Sequence, residues 1–427
     1  MMNRRILIIW CIISVLLTAG CGKYSGSGFD RVEKRALIRY ENWEVYPAQL
    51  KLHQQVVDAF NHSQNEVYVK LEPAQGGPNK IKVEIAGGTA PDVFYWCDTI
   101  LPPLVQKNSV ADLSPFIKKE GVDLGQYFPA LLDGLRYNGG IYGLPIYYGT
   151  NALVYNKDIF DAAHLPYPDS KWTWNDFRAT ARKLTVRKEG KPAQYGALLP
   201  GSMDVVESLG GKLFDPEGKH CLADSREMRE GLRYLLTLQN VDKSVPSLAQ
   251  LGGEVDKLKN GLQMFMTGRI GMFIAPSFML SSLQDIKAFS WDVAPIPIAA
   301  AGKKRVSAFS TGTLHISSQS QVKEAAFKFL KFACGPEGTA IMGRGRNCIP
   351  PIPEVAKKTF CMPPPEHIGV YIDSIYYARP ILKVTWADEF SSTVFSPETE
   401  LLLMGKQDIE KTVRNLSAKG QKFAGKD

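Results

Sequence analysis

Residues 142–185 read YGLPIYYGTNALVYNKDIFDAAHLPYPDSKWTWNDFRATARKLT, and this stretch decides the fold class. Residues 144–155 are apolar and aromatic but interrupted by Pro145 and Gly149, which predicts a strand that kinks and resumes. Asn156-Lys157-Asp158 breaks it into a short turn, and a proline-bearing loop over 165–171 follows. Thr173 then stands where an N-cap would, with Asp176 three residues on, the pattern of a capping box. Phe177, Ala181 and Leu184 fall at i, i+4 and i+7, one apolar helical stripe.

Upstream, residues 36–115 read as an α/β lobe. Residues 36–40 form a short strand candidate, Pro47 opens a helix carrying Leu52, Val56 and Phe60, and Val67, Val69 and Leu71 alternate as a strand. A helical pattern over 79–86 stops at Gly87-Gly88, and 92–96 is the next strand. This β-α-β-α-β order implies a parallel sheet. Downstream, residues 151–275 read as a second α/β lobe with a helix over 255–265, then a glycine turn and a strand in 265–275. Val322, Ala325, Ala326, Phe329, Leu330 and Ala333 predict a helix with an unbroken apolar face, and the proline-rich 350–365 is expected to be an extended loop.

Gly143, Pro145, Asn156–Asp158, Phe160 and Thr173-Trp174 together resemble the bacterial extracellular solute-binding proteins, in the branch that serves carbohydrate ABC importers beside maltose-binding and glycerol-phosphate-binding proteins. Ala163-His164-Leu165 departs from the usual Ala-Gly-Leu in a surface loop. Further blocks at 86–92, 210–215, 265–275 and 310–316 are similar to the family in the same order, so the resemblance spans roughly residues 36–420. It implies a two-lobed α/β fold of the type II periplasmic-binding-protein kind, with three interlobe crossings: at 144–156, after 265–275, and at 310–316. The expected division is 36–148 plus 276–310 for the N-lobe and 149–275 plus 311–427 for the C-lobe.

At 427 residues the length fits two or three domains, and 22% charged with 10% aromatic residues describes a globular chain. The net charge of +8 falls to +6 without Arg4 and Arg5, the only charges in residues 1–20. No basic run exceeds Lys303-Lys304-Arg305, which leaves nucleic-acid binding unsupported. Arg4-Arg5, the apolar run 6–17 and Leu17-Thr18-Ala19-Gly20-Cys21 resemble a signal peptide ending in a lipoprotein lipobox, with Cys21 as the lipid attachment point. The run is too short for a bilayer span of about 20 residues. Residues 21–35 then become the lipidated cysteine and a flexible tether, holding the chain on a membrane outside the cytoplasm. Cys97, Cys221, Cys334, Cys348 and Cys361 show no C-x-x-C pair; one or two disulfides and buried thiols both remain open.

Sugars are bound by flat apolar faces against the pyranose C–H surface, with planar polar groups holding the hydroxyls. Candidates stand at strand ends, where an α/β sheet presents its crevice. They are Trp43 with Glu44, Trp96 with Asp98, and Tyr147, Tyr148, Thr150 and Asn151. Alternation sends Tyr147 and Tyr148 to opposite sides without saying which faces the cleft. The resemblance adds Ser277, Ser310, Thr311, Gly312, Arg346, Asn347 and Trp386. Each has a plainer alternative: a tryptophan closing a core, a solvated carboxylate, a surface arginine.

Catalytic and cofactor signatures are missing: no G-x-S-x-G, H-E-x-x-H, P-loop or dinucleotide fingerprint occurs, and the six histidines show no metal-ligand spacing. No cofactor, metal or catalytic residue is expected. The sequence points to a monomeric, lipid-anchored substrate-binding subunit that takes a sugar or oligosaccharide between two lobes and delivers it to the permease of an ABC importer. The alternatives are an anchored carbohydrate-active enzyme, or a binding protein for glycerol phosphate, through Arg346, or for a polyamine, through several cleft carboxylates.

Overall fold

The computed structural model describes residues 35–426 except 45, 46, 76, 98–100, 301 and 380. The lipobox with Cys21 and the candidate Asp98 lie outside the described residues.

Eleven strands are described: β1 (Ala36–Asn42), β2 (Val67–Pro73), β3 (Val93–Cys97), β4 (Arg136–Tyr137), β5 (Gly140–Ile141), β6 (Leu144–Asn156), β7 (Val186–Lys188), β8 (Lys191–Ala197), β9 (Ile270–Pro276), β10 (Trp291–Ala294) and β11 (Phe309–Ile316). β4 and β5 make a separate hairpin; the rest form one sheet in the order β2-β1-β3-β11-β6-β9-β8-β7, with β10 also on β6. β1 runs parallel to β2 and β3, as the alternation of strands and helices implies.

β6 is the strand read in residues 144–155, and it belongs to both halves of the sheet. Its first half, 144–150, pairs with β11, and its second half, 151–156, pairs with β9 and β10. The kink expected at Pro145 is a register shift: Gly312 faces Tyr147 while Thr313 faces Pro145, leaving Ile146 as the extra residue of a bulge. Pro145 has no N–H for the ladder, which makes this a natural place for pairing to slip. Helix Trp174–Leu184 starts with the expected capping box, the Thr173 hydroxyl and the Asp176 carboxylate each bonding the other's backbone N–H. It buries Phe177, Ala181 and Leu184 against β8.

The later segments pack on both halves of the sheet. On β6, β9 pairs with the second half and not the first, and Leu280, Leu283, Trp291 and Val293 share a core with Phe265 and Phe273, so the described part of 276–308 packs with the second half. Helix Lys323–Ala333 packs on the first half, where Phe329 meets Tyr40 at 5.4 Å and Phe60 at 5.3 Å between ring centroids. Each such buried phenylalanine contributes about 1.5–3 kcal/mol. The segment around Ile349 runs beside β6 and exchanges two backbone hydrogen bonds with Tyr148. An apolar helix face announces burial, not which neighbours bury it. The proline-rich stretch is not wholly extended either: Pro353 sits in the first turn of helix Pro353–Thr359, where its missing N–H costs nothing. Cys221, Cys334, Cys348 and Cys361 are free thiols.

Candidate functional site

A cavity of about 760 Å³ opens where the second half of the molecule meets the crossing strands. One wall comes from helix Ser202–Ser208 and the turn after it, Gly210–Asp215. Gly210 has φ +95°, a left-handed backbone suited to glycine, and a Cβ on Gly211 would stand 2.6 Å from Val206. The turn is thereby pressed onto the helix, and it delivers Phe214 to the cavity. The facing wall is the segment from Arg379 to Ser396, with Trp386, Asp388, Phe390 and Phe395; Asn151 and Phe309 come from the crossing strands.

The aromatic part of this wall is one packed group. The Phe214 ring lies 4.7 Å from Trp386 and 4.8 Å from Phe390, both edge-to-face. Trp386 is 4% exposed, and its Nε1–H has no hydrogen-bond partner within the protein. A buried N–H of this kind asks for an acceptor. The polar part is Asp204, Glu207 and Arg379. Arg379 Nη1 lies 3.1 Å from Glu207 Oε2. Burial raises the Glu207 carboxyl and Arg379 opposes it; burial likewise raises Asp204, opposed by Arg379 and Lys257. Burial also raises Asp388, opposed by the charge of Lys82 on helix Pro78–Ala86. A cation of the first half thus bears on a carboxylate of the cavity wall.

Of the sequence candidates, Asn151 and Trp386 line this cavity. Ser277 and Ser310 converge beside it on the crossing: a Cβ on Gly149 would meet their Oγ atoms at 3.2 and 3.3 Å. Ser277 is fully buried, and its hydroxyl, like that of the buried Thr311, has no partner. Trp43, Glu44 and Tyr147 form a second group. The Tyr147 hydroxyl reaches Glu44 Oε2 at 3.2 Å and the Tyr95 hydroxyl at 2.5 Å, and Trp43 packs 5.3 Å from Tyr95. Gly312 fits under this ring, because a Cβ there would lie 2.6 Å from it. Tyr147 is therefore the tyrosine on the polar side, while Tyr148 is fully buried against Phe128 in the opposite core.

Other candidates are placed in structural roles. Trp96 is 0% exposed, packed edge-on to Phe94 at 6.0 Å among Ile81, Leu101 and Leu104, so it offers no face for stacking. Thr150 is buried and donates to the Tyr371 carbonyl at 2.5 Å. Arg346, at φ +59°, gives its guanidinium to the carbonyls of Met362 and Pro364, which ties down the proline loop. Asn347 is buried beside it with Oδ1 unpartnered. Sequence reading missed Phe214, Phe309, Phe390, Asp204, Glu207 and Arg379. The 210–215 block was visible, but nothing in its spacing said that Phe214 points into a cavity.

The family model for bacterial extracellular solute-binding proteins matches residues 49–340, more than half of the chain. The chain belongs to this family. An uncharacterized lipoprotein of Streptomyces antibioticus is 25% identical to this solute-binding protein over 369 residues, covering 82% of this chain and 76% of its own. The arabinooligosaccharide-binding protein of Bacillus subtilis is 25% identical over 357 residues, covering 78% and 77%. An ABC substrate-binding protein of Listeria monocytogenes, solved in complex with cycloalternan, superposes with a TM-score of 0.79 at 26% identity, covering 91% of this chain and 99% of that one.

Proposed function

We propose that this solute-binding protein captures a short oligosaccharide in the cavity bounded by Phe214, Trp386 and Arg379, and hands it unaltered to an ABC permease. The observation that carries the reading is the cavity itself: its volume falls within the range of about 300–1,000 Å³ usual for small-molecule sites, with an aromatic group on one side and a carboxylate–guanidinium pair on the other. The apolar wall suits the C–H face of a pyranose, and Glu207, Asp204 and Arg379 suit its hydroxyls. The sugars named for the relatives, an arabinooligosaccharide and cycloalternan, support the same ligand class.

Contacts made by both lobes would be stronger in the closed form than in the open one, and that difference is what drives closure. A micromolar ligand supplies about 8 kcal/mol, ample for a gap of a few kcal/mol. A lipid at Cys21 would keep the protein at the membrane as a monomer; among the described residues no helix is long and apolar enough to cross one. The expected division into lobes becomes 36–143 plus 317–344 against 151–308 plus 351–426, argued from the packing above. Arg346 is engaged with carbonyls, which argues against a glycerol-phosphate site.

Calorimetry of the mature protein against arabino-, malto- and manno-oligosaccharides tests the proposal, with chromatography of the ligand afterwards. One-to-one binding with intact sugar is the expected result. Cleaved sugar would make the protein an enzyme, and binding by none of the panel would remove the sugar reading.

A further inference from the structure

Asp292 lies on β10 and is 1% exposed. A carboxylate so far from water needs a positive partner. Among the described residues no lysine or arginine reaches it within ion-pair distance; its side-chain partner is His367, Nδ1 to Oδ2 at 2.7 Å. The two are 75 positions apart, so no sequence spacing shows the pair. The carboxylate is held in a fixed orientation, since Oδ1 accepts the backbone N–H of Val293 at 2.8 Å and of His367 at 3.0 Å. That leaves Oδ2 turned toward the imidazole.

Glu366 completes the group. It is exposed, with water available on its outer side, yet its carboxylate converges with Asp292 and His367 so that one donor atom from each lies within 4.8 Å of the others. Two carboxylates drawn together repel unless a cation sits between them. The surroundings add to the negative field. Asp161, which accepts from the Tyr167 hydroxyl at 2.7 Å, adds a further carboxylate nearby. Lys157 is placed over the Tyr167 ring, 5.2 Å from its centroid.

We propose that Asp292, Glu366 and His367 bind a divalent transition-metal ion, Zn²⁺ in the first instance, which clamps residues 366–367 to β10. An imidazole with two carboxylates suits Zn²⁺ or Mn²⁺ better than the all-oxygen preference of Ca²⁺ and Mg²⁺. The two backbone N–H groups on Oδ1 are the outer contacts that orient a ligand. At metal–ligand distances of about 2.0–2.2 Å the ion takes the place of the proton between Nδ1 and Oδ2, and those atoms move apart to roughly 3.3 Å. The His367 side chain is 61% exposed and swings that far without disturbing the core. None of the three residues lines the cavity, so this site stands apart from sugar binding.

The test uses a tag-free, EDTA-treated full chain titrated with ZnCl2, followed by calorimetry and by thermal shift. One equivalent per chain is expected, with a rise in Tm that EDTA reverses. His367→Gln and Asp292→Asn should each weaken uptake at least about tenfold, and Glu366→Gln by less. His367→Gln carries the decision if Asp292→Asn does not fold, because the ring is mostly outside the core. Absence of stoichiometric uptake, or uptake unchanged in His367→Gln, overturns the proposal.

Discussion

Arg379 and Glu207 face each other across 3.1 Å in the cavity wall, and each limits what the other can do. Burial raises the Glu207 carboxyl and the guanidinium opposes that rise, while the carboxyl group holds a flexible arginine in one position. Arg379→Ala should therefore weaken oligosaccharide binding by about 10–100-fold, the worth of one or two hydrogen bonds to a charged group. Calorimetry reads this directly. Affinity within threefold of the parent would mean that the pair does not touch ligand.

Two tryptophans should respond in opposite ways. Trp386→Phe keeps an aromatic against Phe214 while removing the unpartnered N–H, and is expected to fold normally and bind sugar more weakly. Trp96→Ala empties a fully buried position and should cost about 3–5 kcal/mol in urea unfolding, with ligand affinity per folded molecule preserved. A stable Trp96→Ala protein with lost binding would return Trp96 to the site.

His53 is buried among Tyr40, Tyr95 and Tyr147, and burial lowers its pKa to about 3. The unfolded chain takes up the proton near pH 6.5 while the folded one does not. Its neutral form stabilises the fold above about pH 6.5, and this contribution is lost as pH falls from 6.5 toward 3, by up to about 1.4 kcal/mol per unit. His53→Gln should flatten that part of the stability–pH curve. His315, lowered to about 4 for the same reason, leaves a smaller residual slope.

Gly196 lets helix Trp174–Leu184 lie directly on β8. A Cβ there would stand 1.8 Å from the Ala181 carbonyl oxygen, a backbone atom that cannot turn aside. Gly196→Ala should destabilise the second half by about 1–3 kcal/mol or more. Denaturant midpoints measure it, and an unchanged midpoint would contradict the packing.

Much of this architecture could be read beforehand. The 144–155 run, with its proline, its glycine and the capping box beyond it, identified β6 and the helix at 174–184, because local chemistry alone decides such features. Strand–helix alternation did the same for the parallel β1–β2–β3 unit. Which neighbours 276–308 and 323–344 pack against was not legible, since that depends on where the chain goes after each strand. The cavity was legible only in part. Asn151 and Trp386 belong to its lining, but Phe214, Glu207 and Arg379 come from three distant segments with no shared spacing. The surroundings of Trp96 and Arg346 were not legible either: a strand-end tryptophan or a loop arginine looks alike in sequence whether it meets solvent, ligand, a packed core or the protein's own carbonyls.

β6 being common property of both halves has a mechanical consequence. Cutting the chain near Gly149 would take residues 144–149 and β3 away from the two sides of β11 and bare unpaired amides on both fragments, while β9 and β10 stay on 151–156. Neither fragment is a self-sufficient folding unit, so heat or urea should melt the protein in one cooperative step rather than lobe by lobe.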